Sequence, residues 1–176
     1  LRLALHLDPE HALALVTLGD IFERLKRTDR AIEVYNRIPK TSPVRPSADV
    51  QIGLGLEQLG RGDEAVAHLE ALVESRPQDI DALTALGNVL RSRKRWEEAA
   101  AVYTRAIERI GTPDRGHWTL FYFRGSAFER AKQWPKAEAD LKKALELIPE
   151  QQSAGRAQVL NYLGYANRKL GRFDAA

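Results

Sequence analysis

The most constraining feature of the sequence is a repeat of about 34 residues that runs along the chain. Five glycines and five alanines advance in parallel, each alanine twelve residues after its glycine, with successive steps of 34, 34, 38 and 39 residues. The positions are Gly19, Gly53, Gly87, Gly125 and Gly164, followed by Ala31, Ala65, Ala99, Ala137 and Ala176. A unit of this length holds two helices but cannot bury an apolar face alone, so the period predicts a stacked array.

Each unit is predicted to contain two helices. The first has apolar residues spaced by three and four around its glycine, as in Leu15, Leu18 and Phe22 around Gly19. Glycine costs a helix about 1 kcal/mol. Its repetition therefore predicts close approach of a neighbouring helix. The second helix places a small residue one turn before large ones, which lets two helices interlock, as in Ala31, Tyr35 and Ile38.

Turn residues separate these predicted helices. Within a unit the turn is short, as in Leu59-Gly60-Arg61-Gly62-Asp63. Between units stand Pro9, Pro43, Pro77, Pro113 and Pro149. Proline is tolerated in the first turn of a helix, which is where we expect these residues. Asp8 and Thr112 precede two of them and are predicted to cap those helices.

With these residues the chain resembles the tetratricopeptide repeat (TPR) family. The pattern is Leu15, Leu18, Gly19 and Phe22 with Ala31, Tyr35 and Pro43, and it returns as Leu83, Leu86, Gly87 and Leu90 with Ala99, Tyr103 and Ala106. The resemblance covers nearly the whole chain, and stretches near the end are similar to bacterial members. It implies an all-α fold, a right-handed superhelical solenoid of antiparallel helix-turn-helix repeats whose first helices line the concave face.

The resemblance also divides the chain into repeats. We expect the tail of a preceding repeat at 1–11, repeats at 12–45, 46–79 and 80–113, a repeat with an insertion at 114–151, and a truncated repeat at 152–176. Because the chain lacks methionine and begins and ends within the pattern, we interpret it as a segment whose two ends expose apolar surface. The absence of a visible signal peptide then says little about location.

Two kinds of departure from the family pattern are expected to matter. Asp49 and Arg124 stand where the family places bulky apolar residues, which predicts looser packing of the second and fourth units. The last two intervals contain four and five extra residues. Since about 3.6 residues make one helical turn, we predict that a helix lengthens by a turn in these intervals.

The residues one step past the packing stripe are predicted to face the concave groove. They form trios at i, i+4 and i+7 on each first helix: Val16, Asp20 and Glu23; Val50, Leu54 and Glu57; Thr84, Asn88 and Arg91; Tyr122, Ser126 and Glu129; Asn161, Tyr165 and Arg168. Amide, aromatic and guanidinium groups suit an extended peptide. We therefore predict a peptide-binding surface composed of Asn88, Arg91, Tyr122, Ser126, Asn161, Tyr165 and Arg168.

Several other functions are disfavoured by the sequence. Cysteine is absent, and no two of the four histidines have the i, i+4 spacing of metal ligands on a helix. Gly53-Leu54-Gly55 lacks the preceding strand of a dinucleotide loop. The carboxylate pairs Asp63-Glu64 and Glu97-Glu98 suit helix starts, where negative charge is favoured. We therefore predict no enzymatic activity, cofactor or metal.

The leading functional hypothesis is a scaffold or adaptor that binds a protein or peptide segment in the groove. The positions of a chaperone-tail clamp hold Val16, Asp20, Thr84 and Asn88 rather than a Lys and Arg cluster, so that receptor class is disfavoured. The first alternative is self-assembly through exposed terminal helices. A lower alternative is RNA binding through the basic run 91–96, which the net charge of +3 does not favour. No apolar run is long enough to span a bilayer, and the cellular compartment stays undecided.

Overall fold

The computed structural model describes residues 2–171, and all regular structure within them is helical. The α-helices, in chain order, are α1 (Arg2–Leu7), α2 (Ala12–Arg24), α3 (Thr28–Asn36), α4 (Arg45–Gln58), α5 (Gly62–Ser75), α6 (Ile80–Ser92), α7 (Trp96–Ile110), α8 (Trp118–Arg130), α9 (Trp134–Leu147) and α10 (Ser153–Lys169). A 3-10 turn at Arg115–His117 precedes α8. This all-α arrangement confirms the predicted fold class.

The chain forms two compact units, residues 1–89 and 90–176, and the boundary falls within α6. In the first unit α2 packs on α3, α3 on α4, and α4 on α5. In the second unit α7 packs on α8, α8 on α9, and α9 on α10. Each unit is therefore a run of helical hairpins in which sequence neighbours are also neighbours in space, as the repeat predicts.

The repeat glycines lie where a second helix comes closest to a first helix. A Cβ atom added at Gly19 would overlap the Tyr35 ring, 2.6 Å from its Cζ, and one added at Gly53 would lie 2.5 Å from Leu69 Cγ. Tyr35 and Leu69 are fully buried. The predicted close approach is confirmed at both positions.

The turns between paired helices share one backbone geometry. The residue seven positions after each repeat glycine has a positive φ, and these residues are Lys26, Gly60, Lys94, Lys132 and Gly171. In four of these turns the next N–H donates to a carbonyl five residues back, as Arg27 does to Phe22 at 2.9 Å. This is the Schellman closure, which satisfies a terminal helix carbonyl and ends each first helix at the same register.

The inter-unit prolines do not begin helices, which corrects the prediction. Pro9 and its counterparts lie in the connecting segments. The cap of α2 is His11, whose Nδ1 accepts from the Ala14 N–H at 3.3 Å, while Asp8 accepts from Glu10 in the preceding turn. Asp114 rather than Thr112 caps the 3-10 turn that precedes α8. Because the connectors continue past the prolines, the caps at His11 and Asp114 lie three and two residues later than the sequence suggested.

The two polar residues at apolar positions are accommodated by ion pairs. Arg45 donates to Asp49 within α4 at 2.7 Å. Arg124 forms a two-bond fork with Asp140, with both distances at 2.7 Å, and also donates to Thr104. Bidentate guanidinium–carboxylate pairs are strong and directional. Charge pairing thus takes the place of the apolar contacts that the family pattern provides.

The extra residues are used in two different ways. Helix α10 has 17 residues where α6 and α8 have 13, so the predicted extra turn is confirmed there. In the preceding interval the prediction is wrong, because α7 has 15 residues and α5 has 14. Gly111 ends α7 with a positive φ, and the additional residues form the 3-10 turn capped by Asp114.

Apolar side chains are exposed on the first two helices. Leu3 is 70%, Leu7 75% and Leu13 63% exposed. The apolar surface expected at the beginning of the chain is therefore present, whereas the position expected to expose the other end, Ala176, lies outside the described residues. None of the helices between residues 2 and 171 combines the length and apolar character that a membrane span requires.

The glycine contacts predict a graded response to Gly→Ala substitution. Alanine gains about 1 kcal/mol of helix propensity, but overpacking costs about 1–3 kcal/mol. We expect Gly19→Ala to destabilise the protein by about 1–2 kcal/mol, since the Tyr35 ring cannot move aside. A Cβ at Gly125 would lie 3.1 Å from Leu141 Cγ, so Gly125→Ala should be nearly neutral. Urea unfolding measures both. Ala101→Gly, at an exposed helical site, is the control that measures helix propensity alone. A Gly19→Ala variant as stable as the parent would contradict the close contact between Gly19 and Tyr35.

Candidate functional site

A first groove lies between first helices α4 and α6 within residues 1–89. It has a volume of about 320 Å³, and it is lined by Ser47, Val50, Gln51, Leu54, Asp81, Thr84, Ala85 and Asn88. Two predicted trios therefore contribute to one surface, with Val50 and Leu54 from α4 and Thr84 and Asn88 from α6. The groove combines an apolar floor with amide and hydroxyl groups.

A second groove, the α8–α10 groove, lies within residues 90–176. It has a volume of about 350 Å³ and is lined by Glu129, Arg130, Asn161, Tyr162, Tyr165 and Arg168. The complete predicted trio of α10 is present here. The α8 trio contributes only Glu129, from the last turn of its helix.

The exposed aromatic ring of the α8–α10 groove is held by its neighbours. Tyr165 is 38% exposed. The Trp134 ring meets it edge-on, with ring centroids 5.9 Å apart. Arg168 and Lys169 place their charged groups 5.8 and 5.4 Å from the Tyr165 centroid. Such cation–π contacts stabilise a cation over a ring while leaving it near solvent.

Tyr122 and Ser126 are buried, which corrects their prediction as groove-facing residues. They are 7% and 5% exposed. Tyr122 belongs to an apolar cluster with Val159 of α10, and its ring meets Tyr162 edge-on at 5.6 Å. Burial raises the pKa of the Tyr122 hydroxyl to about 12. The physical reason is the packing of Val159 and Tyr162 of α10 over this face of α8.

Arg91 makes intramolecular contacts. Its guanidinium lies 4.8 Å from the Phe123 centroid, and it hydrogen-bonds the buried Tyr103 hydroxyl. Burial raises the pKa of Tyr103 to about 12, and the hydrogen bond and charge of Arg91 oppose part of this rise. Arg91 therefore joins α6 to the aromatic side chains of α7 and α8.

The first trio is also partly structural. Asp20 accepts a hydrogen bond of 2.7 Å from the Tyr35 hydroxyl. The Thr28 hydroxyl donates to Glu23 at 3.5 Å, while burial raises the pKa of Glu23. Asp20 therefore connects α2 to α3, while Glu23 lies against Thr28, whose hydroxyl is closer to Gln58 at 3.1 Å.

The other candidate chemical groups are engaged at helix ends and surfaces. Glu64 pairs with Arg61, and Glu98 pairs with Arg95. Gly53 and Gly55 lie inside α4 rather than in a phosphate-binding loop. Among residues 2–171 no three His, Asp or Glu side chains come together as a metal site.

Sequence reasoning missed Trp134 and Lys169. Trp134 stands nine residues after Gly125, the same register as Trp96 after Gly87. That repeated register could have identified it as a packing residue beside the next first helix. Lys169 follows Arg168 directly and lies outside the i, i+4, i+7 pattern, so only the structure brings it to Tyr165.

Comparison with known proteins agrees with this architecture. Residues 1–46 and 50–115 match the family model described as tetratricopeptide repeat. A curated relative, the BBSome complex member BBS4 of Bos taurus, is 30% identical over 147 residues, which are 83% of this chain and 27% of the relative. The chain thus spans about a quarter of that protein's length.

Solved structures of MamA share the fold. MamA 41-end from Desulfovibrio magneticus RS-1 superposes with a TM-score of 0.75 at 20% identity, covering 93% of this chain and 87% of that one. A crystal structure of MamA protein gives a TM-score of 0.74 at 19% identity, covering 94% and 86%. At these identities the likeness establishes the fold alone.

The contrast between two tyrosines gives a stability prediction. Tyr122→Ala should cost about 3–5 kcal/mol, because truncating a buried aromatic leaves a cavity. Tyr165→Ala should cost less than about 1 kcal/mol, because the ring is half exposed. Chemical denaturation of both variants measures the difference. Equal losses in the free energy of unfolding would contradict the assignment of Tyr122 to the core and Tyr165 to the surface.

Proposed function

The chain belongs to the tetratricopeptide repeat family and has the architecture of a protein-interaction scaffold, and within that role we propose that it holds an extended segment of another protein in the grooves between its first helices. The bovine relative is named as a member of a complex, which supports a protein as the partner. The family match and the helical hairpins support the scaffold role in general.

One observation carries this proposal: the first helices of successive repeats leave an open groove between them in each unit. Of the predicted peptide-binding residues, Asn161, Tyr165 and Arg168 line the α8–α10 groove, and Asn88 lines the α4–α6 groove. An extended peptide has unpaired N–H and C=O groups along its length. A groove with amide groups on its walls offers both a donor and an acceptor to these groups.

The two grooves differ in what they offer. The α4–α6 groove presents Val50, Leu54 and Ala85 beside polar side chains, which suits a small apolar side chain of a ligand. The α8–α10 groove presents the exposed face of Tyr165 next to two arginines. Tyrosine supplies large contact area at low entropic cost, and arginine binds carboxylates in a fork.

Three of the predicted peptide-binding residues are not part of the proposed contact surface: Tyr122, Ser126 and Arg91. Tyr122 and Ser126 are buried, and Arg91 is held against Phe123. We assign them to the support of the first helices rather than to ligand contact. Catalysis forms no part of the proposed function.

A second candidate function is self-association, which the exposed leucines favour. Leu3 and Leu7 lie one turn apart on α1, and Leu13 begins the neighbouring α2. A contiguous exposed apolar surface commonly marks a protein contact. Light scattering over a range of concentrations tests it. Mass that grows with concentration and becomes constant in a Leu3→Glu, Leu7→Glu variant supports self-association, whereas a constant monomer mass rejects it.

The groove proposal predicts a specific pattern of affinity loss. Peptides selected from a displayed library on the immobilised chain should bind at least about tenfold more weakly to an Asn161→Ala, Tyr165→Ala variant, since about 1.4 kcal/mol is a factor of ten. Isothermal titration calorimetry measures the affinities.

Leu160→Ala is the matched control, because Leu160 is exposed on the same helix and does not line the groove. Circular dichroism verifies that each variant stays folded. Selected peptides that bind the groove variant and the control equally well would reject the groove as the binding surface.

A further inference from the structure

The α8–α10 groove has an excess of unpaired positive charge. Arg130 lies 3.4 Å from the Glu129 carboxylate, so these two charges compensate one another. Arg168, and Lys169 beside it, form no ion pair with any residue between 2 and 171. Two cations are therefore available to a ligand at the end of α10.

These cations are positioned before any ligand binds. Both contact the Tyr165 ring, which Trp134 holds from its edge. Long cationic side chains lose rotamer freedom when they bind, and prior ordering reduces that loss. The same ring leaves exposed apolar area next to the charges. A matching ligand therefore carries negative charge adjacent to an apolar side chain.

Glu129 limits how strongly the groove attracts an anionic ligand. It is 8% exposed, and its Oε2 accepts no hydrogen bond. Its charge is shared with Arg130 at 3.4 Å, and a carboxylate in the groove wall repels an anionic ligand. It therefore opposes the attraction that Arg168 and Lys169 exert.

The charge density favours a polypeptide over a nucleic acid. A nucleic-acid surface needs many phosphate contacts from a dense array of cations. Here Arg168 in the groove wall and Lys169 beside it accompany the Glu129 carboxylate, and the whole chain carries a net charge of +3. A few carboxylates spaced along a peptide match this arrangement better than continuous phosphates.

We propose that the α8–α10 groove binds an extended acidic segment of another protein, with carboxylates at Arg168 and Lys169 and a neighbouring aliphatic or aromatic side chain against Tyr165. This inference rests on the proposed function and specifies the chemistry of the ligand at that site.

Three pools of short synthetic peptides test the inference. The pools share their apolar positions and differ only in carrying Asp and Glu, Ser and Asn, or Lys and Arg at the polar positions. Fluorescence polarisation with the full chain should show the acidic pool bound about tenfold more tightly than the neutral pool, with the preference declining as salt rises.

Substitutions should change this preference in opposite directions. Arg168→Gln with Lys169→Gln should weaken the acidic pool about tenfold and leave the neutral pool within about twofold. Glu129→Gln removes the opposing charge and releases Arg130, so it should tighten the acidic pool about threefold. Arg105→Gln with Arg109→Gln is the matched control, because both arginines are exposed on α7 and line no part of the groove.

The outcomes separate this inference from the proposed function. Preferential binding of the neutral or basic pool, weakened by Tyr165→Ala, would overturn the acidic ligand and leave the groove proposal standing. Binding of no pool would overturn both. Binding of single-stranded RNA that depends on Arg168 and Lys169, with the acidic pool unbound, would replace the inference with a nucleic-acid surface. Unchanged acidic binding in Glu129→Gln and in the double glutamine variant would also overturn it.

Discussion

The architecture depends on the contact between the glycine of a first helix and a large side chain of the following second helix, which the structure shows at Gly19, Gly53 and Gly125. Tyr35 and Leu69 lie against Gly19 and Gly53 so closely that a Cβ would overlap them. This contact sets the distance between the helices of a hairpin and fixes their register. It uses one face of the first helix, so that the opposite face stays available. The grooves follow from this division of each first helix into a packing face and an open face.

The second unit shows how the packing of one first helix on another shapes the groove. The extra turn extends α10 at its beginning, and Val159 and Tyr162, which follow that turn, pack against Tyr122. The surface that remains open lies nearer the ends of α8 and α10, where Glu129, Arg130 and Arg168 are concentrated. Burial of Tyr122 leaves Tyr162 and Tyr165 as the aromatic side chains of the groove, beside these charged residues. Arg130 and Arg168 make the α8–α10 groove the more basic of the two.

Much of this could be predicted from the sequence. The glycine and alanine series gave the helices and their pairing, and the i, i+4, i+7 spacing correctly grouped Asn161, Tyr165 and Arg168 in one groove. The exposure of Tyr122 and Ser126 could not be predicted, because it depends on which side chains of neighbouring helices pack over them. Arg124 looked like a packing defect, since its partner Asp140 lies 16 residues away on another helix. The proline positions misled because the connectors continue past each proline before the next helix begins.

The grooves are the link between this fold and the proposed scaffold role, and they can be tested at single-residue resolution. The most direct measurement is a nuclear magnetic resonance titration of the isotope-labelled chain with a selected peptide. The account predicts that the largest shift changes occur at Asn161, Tyr165, Arg168 and the Trp134 indole. The largest changes at Arg105 and Arg109 on the exposed face of α7, with the groove signals unmoved, would contradict it.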